Sequence, residues 1–308
     1  MTRPVGRFAP TPSGRLHLGN MLCAMLAYLS VRSQGGRFLL RIEDVDVPRC
    51  PRRLAQQCID DLAWLGFTWD EAPVYQSERT ALYQEALEKL NQGGHVYPCF
   101  CTRAQLMSLA APNLGDTQVI YQRTCASLTA EEAAERAKTR APAMRLRVPD
   151  EDVAFIDGFF GPVEENLARD CGDFILQRSD GLFGYQLAVV VDDALQGVTE
   201  IVRGRDILSA TPRQLYLQRL LGYPQPDYVH IPLLMDAQGR RLAKRDKDLD
   251  LSALAQRFTP EDILGFLAFS VGLLEEIRPM TLEALLPLFD WNKLSHEDWR
   301  LPTDIMKA

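Results

Sequence analysis

The sequence has no long apolar run. None reaches the roughly 18 residues that a bilayer-spanning helix needs, and Met1-Thr2-Arg3-Pro4-Val5 lacks the apolar core of a signal peptide. A cytoplasmic protein with no membrane partner is expected. It also lacks an excess of positive charge: the formal net charge is −7, whereas proteins that coat nucleic acid non-specifically are usually basic. Contact with RNA would have to come from local patches, for which Arg49/Arg52/Arg53, Arg140/Arg145/Arg147 and Arg240/Arg241/Lys244/Arg245/Lys247 are the candidates. No even, regularly spaced cysteine set suggests a disulfide framework, because the seven cysteines are odd in number and mostly scattered. Internal repeats and low-complexity tails are absent too. What remains, 308 residues with 46% apolar and 24% charged, is ordinary for a soluble globular enzyme of two domains or one elaborated domain.

The segment around which the chain is organised comes first. Gly6-Arg7-Phe8-Ala9 reads as a short strand, Pro10 to Gly14 as a turn, and Leu18, Leu22, Met25, Leu26 and Leu29 as one face of a helix that ends near Gly35-Gly36. The turn delivers His17 to the helix start. Unpaired N–H groups there carry partial positive charge and suit a phosphate. Phe38 to Ile42 reads as a buried strand ending at Glu43, followed by helices from Pro51 and from Ser77 to Gly93. Strand and helix in alternation predict a doubly wound parallel (Rossmann-like) α/β sheet.

From Val96 the pattern changes. Residues 96–183 read as an α+β insertion, with a capped helix at Thr129 and hairpin strands around 144–148, 155–161 and 174–176. The sheet is expected to resume over 184–250. Leu187 to Asp193, rich in valine, reads as a strand, as do Val198 to Val202 and Tyr228 to Leu234, with a helix from Thr211-Pro212 to Gly222 between the last two. The basic loop Gly239 to Lys247 follows. Residues 251–308 read as mostly helical, with starts at Thr259 and near Thr281, and residues 1–95 form the first half of the catalytic domain.

Two candidate sites emerge from this layout. His17, Gly19 and Asn20 can donate to nucleotide phosphates, and Lys244, on a loop after the last parallel strand, can neutralise charge on a leaving pyrophosphate. Cys99, Cys101 and Cys125 form the second. Three thiolates in one short insert suit Zn²⁺, which takes four ligands, and the spacing leaves Tyr121 and His95 open as the fourth.

His17-Leu18-Gly19-Asn20 and Arg241-Leu242-Ala243-Lys244-Arg245, with Arg7 to Gly14, Leu40 to Asp46 and Val191 to Asp206 around them, resemble the paired nucleotide signatures of class I aminoacyl-tRNA synthetases, in their glutamyl branch. Those signatures are usually H-I-G-H and K-M-S-K-S, so Asn20 stands in place of a His and Ala243 in place of a Ser. The resemblance implies that Arg7, Ala9, Thr11, Glu43, Tyr185 and Arg203 line a pocket for L-glutamate. Glu43 would take the α-ammonium, and Arg203, with Arg7, the side-chain carboxylate. It implies ATP as substrate, bound by His17, Gly19, Asn20 and Lys244, with Mg²⁺ assisting and with His17, Asn20 and Lys244 as the catalytic set. For the zinc it favours Tyr121. After the Lys244 loop, residues 251–308 are too short for a full anticodon-binding domain beside stem-contacting helices. The combination resembles the glutamyl-queuosine tRNA(Asp) synthetases, ligases that make glutamyl-adenylate without tRNA and pass glutamate to queuosine in the tRNA(Asp) anticodon loop. A monomer is expected. A tRNA(Glu)-charging enzyme, a small-molecule nucleotidylyltransferase and a non-catalytic RNA-binding paralogue are the alternatives. No residue suggests itself as a general base.

Overall fold

The structure is a computed structural model and describes residues 3–102, 120–235, 239 and 250–300. Strand β1 (Val5–Phe8) leads into helix α1 (Leu18–Ser33), then β2 (Arg37–Ile42), α2 (Arg52–Trp64), β3 (Val74–Tyr75) and α3 (Thr80–Gln92). Each strand is short; α1 and α2 share an apolar core with β1 and β2, whereas the apolar face of α3 belongs to a second core. Val5 to Phe8 is buried throughout, as is α1 from Ala24 to Val31. Such two-sided burial is the mark of a parallel sheet covered on both faces.

The chain then leaves the sheet. β4 (Val96–Cys99) opens the insertion, followed by α4 (Ala130–Ala137), β5 (Ala143–Leu146), the hairpin β6 (Asp152–Asp157) and β7 (Gly161–Asn166), and β8 (Phe174–Gln177). β4, β5 and β8 make one antiparallel sheet, and β6–β7 a separate hairpin. Thr129 caps α4 by accepting from the Glu132 N–H, while the Glu132 carboxylate accepts from the Thr129 N–H.

The return to the sheet differs from the sequence expectation. Leu187 to Asp193 is not a strand but the body of helix α5 (Tyr185–Leu195). Periodicity cannot separate a buried strand from a helix buried all round. Here Leu187 through Asp193 are all buried, and the apolar ones pack with α3, α6 (Thr211–Leu221) and residues of β5 and β8, so no polar face marked the helical period. β9 (Glu200–Gly204) and β10 (Asp227–Ile231) complete the sheet, with α6 between them. α6 stops at Gly222, whose left-handed backbone (φ 72°) disfavours any residue with a Cβ.

The five-stranded sheet runs β10-β9-β1-β2-β3, all parallel. Chain order reverses between β1 and β9. A crevice opens outside the strands' carboxyl ends at such a switch point. Beyond the sheet, β11 (Leu234–Met235) pairs with β12 (Trp299–Arg300), and helix α7 (Pro260–Ser270) packs its apolar residues into the core shared with α1. Among the described residues, those past 250 are less helical than expected: α7 apart, they hold single turns at Leu251–Leu254 and Leu282–Leu285, two 3₁₀ turns and β12. Among the described residues no helix is long and apolar enough to cross a membrane.

Candidate active site at the switch point

A cleft of about 460 Å³ lies at the carboxyl ends of β1, β2 and β9. Arg7, Ala9, Thr11, His17, Gly19, Asn20, Glu43, Tyr185 and Arg203 all line it. The parallel register explains the convergence, because β1 ends at Phe8 beside Leu40 of β2, and the Glu43 N–H donates to the Pro10 carbonyl (3.0 Å). Lys244 lies outside the described residues. The chain on the far side of its loop is placed, however: Asp250 forms a β-bridge with His17, and the Leu251 N–H donates to the Leu16 carbonyl (2.9 Å). The chain that follows the second nucleotide-type signature is therefore anchored at the helix start from Asp250 onward.

That helix start is capped from within. The Gly19 N–H donates to Nδ1 of His17 (3.1 Å), and the His17 N–H donates to Oδ1 of Asn20 (3.4 Å). The ring therefore carries its proton on Nε2 when neutral. That N–H, rather than the Asn20 oxygen, is the donor a phosphate would meet.

The β1–β2 wall is rich in ion pairs. Asp193 of α5 accepts from Arg7 Nε (3.1 Å) and from Arg41 Nη1 (2.7 Å), and Arg41 also reaches Glu43 (3.3 Å). Arg7 and Arg41 are 4% and 0% exposed, so their charges need these partners. Burial opposes ionisation of Asp193, but the Arg41 and Arg7 guanidiniums outweigh it and hold its carboxyl below the usual range. For Glu43, burial prevails over the same two arginines and raises the carboxyl above its ordinary value. The neighbouring Asp192 lies 3.9 Å from Arg41 Nε and accepts from Gln76 (2.9 Å), Arg79 (2.6 Å) and Tyr83 (2.7 Å), and so ties α3 to α5.

The β9–β10 wall is built differently. Arg203 is 4% exposed, yet among the described residues it has no carboxylate partner. Its Nε donates to Nε2 of His230 (2.9 Å), Nη1 to Gln214 (2.8 Å) and Nη2 to the Thr211 hydroxyl (2.7 Å). His230 is directly opposite Arg203 in the parallel register, and its Nδ1 faces Asp157 at the end of β6 (2.6 Å). Burial pushes the imidazole's pKa down. Sequence reasoning missed Arg41, Asp193, Thr211, Gln214, His230 and Asp157 as site residues. For His230 a signal existed: a lone histidine inside the apolar strand Tyr228 to Ile231.

Cys23 also lines the cleft, but burial pushes its thiol up to about 11, so it is no nucleophile at neutral pH. The cleft can hold an anion and a cation, and among the described residues it has no activated thiol, which suits chemistry carried by a substrate carboxylate.

The second site lies in the insertion. The Cys99, Cys101 and Cys125 sulfurs all lie within 4.8 Å of one another. The Tyr121 hydroxyl is 3.4 Å from the Cys99 sulfur and 3.7 Å from that of Cys101, and accepts from the Cys125 N–H (2.8 Å). His95 is not among the grouped residues; it sits in the turn after α3, where its N–H donates to the Leu90 carbonyl. Burial works against the Cys99 thiolate, but hydrogen bonds from Tyr121, the Cys101 backbone and Arg145 lower its pKa, whereas burial keeps Cys101 raised. Arg145, a candidate RNA contact by sequence, is 5% exposed. It lies over the Tyr121 ring (4.0 Å) and donates to the Asp173 carbonyl, a structural post. Arg147 is likewise engaged, with the Ala126 carbonyl and the Tyr97 ring.

Residues 5–296 match the family described as tRNA synthetases class I (E and Q), catalytic domain. The chain belongs to that family. The synthetase is 47% identical to the "Glutamyl-Q tRNA(Asp) synthetase" of Symbiobacterium thermophilum, over 98% of this chain and 97% of that one. To the protein of the same name from Nitratidesulfovibrio vulgaris it is 46% identical, over 98% and 96%. Among solved structures, it resembles a glutamate tRNA ligase from Elizabethkingia meningosepticum in complex with its amino acid: TM-score 0.85, 25% identity, 99% of this chain and 68% of that one. The class I synthetase fold agrees with the parallel sheet and its switch-point cleft.

Proposed function

We propose that this synthetase is a ligase that activates L-glutamate with ATP, without tRNA, and transfers it to queuosine in the anticodon loop of tRNA(Asp). The observation that carries the reading is the near end-to-end match to relatives named for glutamyl-Q and tRNA(Asp). The cleft supplies a chemistry that fits. The side-chain carboxylate of glutamate pairs with Arg203, whose buried charge has no carboxylate of its own among the described residues. A bidentate arginine suits a carboxylate. Arg7 is already paired with Asp193, so its part is to shape the pocket with Ala9, Thr11 and Tyr185. Glu43 takes the α-ammonium, which favours the charged form that burial disfavours.

The α-carboxylate then attacks the α-phosphorus of ATP in line and pyrophosphate leaves, with His17 Nε2–H, Gly19, Asn20 and Lys244 at the phosphates; Mg²⁺, when bound, would supply further charge neutralisation. Holding two anions together is the main task. The resulting mixed anhydride is already activated, so acyl transfer needs positioning more than a base.

Cys99, Cys101, Cys125 and Tyr121 would hold one Zn²⁺, a closed four-ligand set of the structural kind that ties β4 to the 121–125 turn. The catalytic domain spans 1–95 and 184–250, the insertion 96–183 supplies acceptor-RNA contacts, and 251–308 serves as a stem-contact segment. The protein works in the cytoplasm as a monomer.

Labelled glutamate offered with tRNA(Asp) tests the function. Label appears on queuosine-containing tRNA(Asp) and not on the unmodified form; label on both, on neither, or on the 3′ end of tRNA(Glu) refutes it. For the metal, about one zinc per chain survives dialysis in the wild type and is lost in Cys99→Ser, whereas zinc-free, active protein dismisses the site.

A further inference from the structure

We infer that His230, held from behind by Asp157, is a positioning and specificity-determining residue for glutamate: a neutral acceptor that aims Arg203 into the cleft without neutralising it. The inference rests on Arg203 binding the substrate carboxylate.

The hydrogen-bond inventory determines the tautomer. An arginine guanidinium can only donate. Nε2 of His230, which meets Arg203 Nε at 2.9 Å, must therefore accept. The ring proton is then on Nδ1, where it is donated to Asp157 Oδ2 at 2.6 Å. Asp157 in turn accepts from the Phe159 N–H (3.0 Å), the Phe160 N–H (2.9 Å) and the His230 N–H (3.1 Å). His230 and Asp157 are 0% and 2% exposed. Every partner is thus taken, and a buried network with all its partners is rigid. Burial, with the Arg203 charge adding to it, keeps the ring neutral.

This arrangement gives Arg203 a fixed direction. Of the five N–H groups of a guanidinium, three go to His230, Gln214 and Thr211. One N–H remains on each terminal nitrogen, and Arg203 lines the cleft where a carboxylate can accept from them. The acceptors are a neutral ring, an amide and a hydroxyl, and the anion of Asp157 is one imidazole removed. A carboxylate in the place of His230 would close an ion pair inside the wall and leave little charge for the substrate. With the full cation kept, the pocket distinguishes glutamate from glutamine, because the amide offers no charge and turns donors toward donors.

The test is amino-acid-dependent ATP–pyrophosphate exchange with His230→Leu, His230→Gln and His230→Glu. Leu removes the acceptor, and the KM for glutamate rises ~10- to 100-fold while the KM for ATP stays. Gln places an amide oxygen near the Nε2 position and recovers most of that loss. Glu supplies the anion, and the kcat/KM preference for glutamate over glutamine falls ~100-fold. A Gln variant as impaired as Leu, KM values for glutamate and ATP rising together, or an undiminished preference in the Glu variant overturns the inference. Wild-type exchange with unmoved KM values overturns only this inference; no glutamate-dependent exchange by the wild type overturns the reading of the site as well. If the variants fail to fold, ¹⁵N resonances of the wild-type histidines decide: an unprotonated Nε2 on His230 supports the assignment, and a protonated one overturns it.

Discussion

The two walls of the cleft each bury an arginine to 4% exposure, and they treat it in opposite ways. On the β1–β2 wall, Arg7 shares Asp193 with Arg41, and Glu43 closes the cluster. On the β9–β10 wall, Arg203 is held by His230, Gln214 and Thr211, none of them anionic. A buried charge paired inside the protein shapes the wall, whereas one steadied by neutral acceptors keeps its attraction for a ligand. By that difference we propose Arg203 rather than Arg7 as the main reader of the carboxylate, where the sequence had suggested that the two share the task.

The largest effect that would test this contrast is at Asp193. Asp193→Asn leaves the buried Arg7 guanidinium without its anion and Arg41 with the more distant Glu43 and Asp192, and urea unfolding should register a loss of about 3–5 kcal/mol. A loss below 1 kcal/mol would mean that the β1–β2 cluster is not the neutralised wall described. Next comes Arg203→Leu, which lowers kcat/KM for glutamate activation by ~100-fold and leaves the KM for ATP unchanged. An equal fall in Arg7→Leu with no loss of stability would erase the distinction between the two walls.

Acid separates the walls by the pH at which each begins to fail. The folded pKa values of Asp193 and His230 are both depressed, but their ordinary values differ. The unfolded chain protonates its histidines below about pH 6.5 while folded His230, between Arg203 and Asp157, resists. Stability therefore declines from about pH 6.5 downward, by up to about 1.4 kcal/mol per pH unit. The Asp193 contribution is present above the ordinary carboxylate pKa of about 3.9 and is lost as pH falls through its lower folded value. Melting curves of wild type and His230→Gln between pH 7 and 5 isolate the first slope, which should vanish in the variant. The smallest effect is Thr211→Val, which deprives Arg203 Nη2 of its 2.7 Å acceptor and raises the KM for glutamate ~3- to 10-fold.

Much of the site was legible because its residues sit at fixed offsets from strand ends. Arg7, Ala9, Thr11 and Glu43 follow or end β1 and β2, and parallel pairing brings those ends together. The Cys99, Cys101 and Cys125 group was legible as chemistry. That Tyr121 rather than His95 faces it depends on the 121–125 turn, where Arg123 adopts a left-handed backbone (φ 58°). Leu187 to Asp193 was misjudged because a helix surrounded by apolar neighbours has no polar face to reveal its period.

By itself, then, the sequence determined the alternation of elements in its first half, the parallel sheet, and the residue types gathered at the strands' carboxyl ends. These follow from local periodicity and from turns near the residues concerned. Only the tertiary structure decided which buried arginine is paired with a carboxylate and which is held by neutral acceptors. Asp193, His230 and Asp157 lie far along the chain from Arg7 and Arg203, or on a neighbouring strand or hairpin. Electrostatic pairing depends on distance in space and on exclusion of water, and residue spacing carries neither.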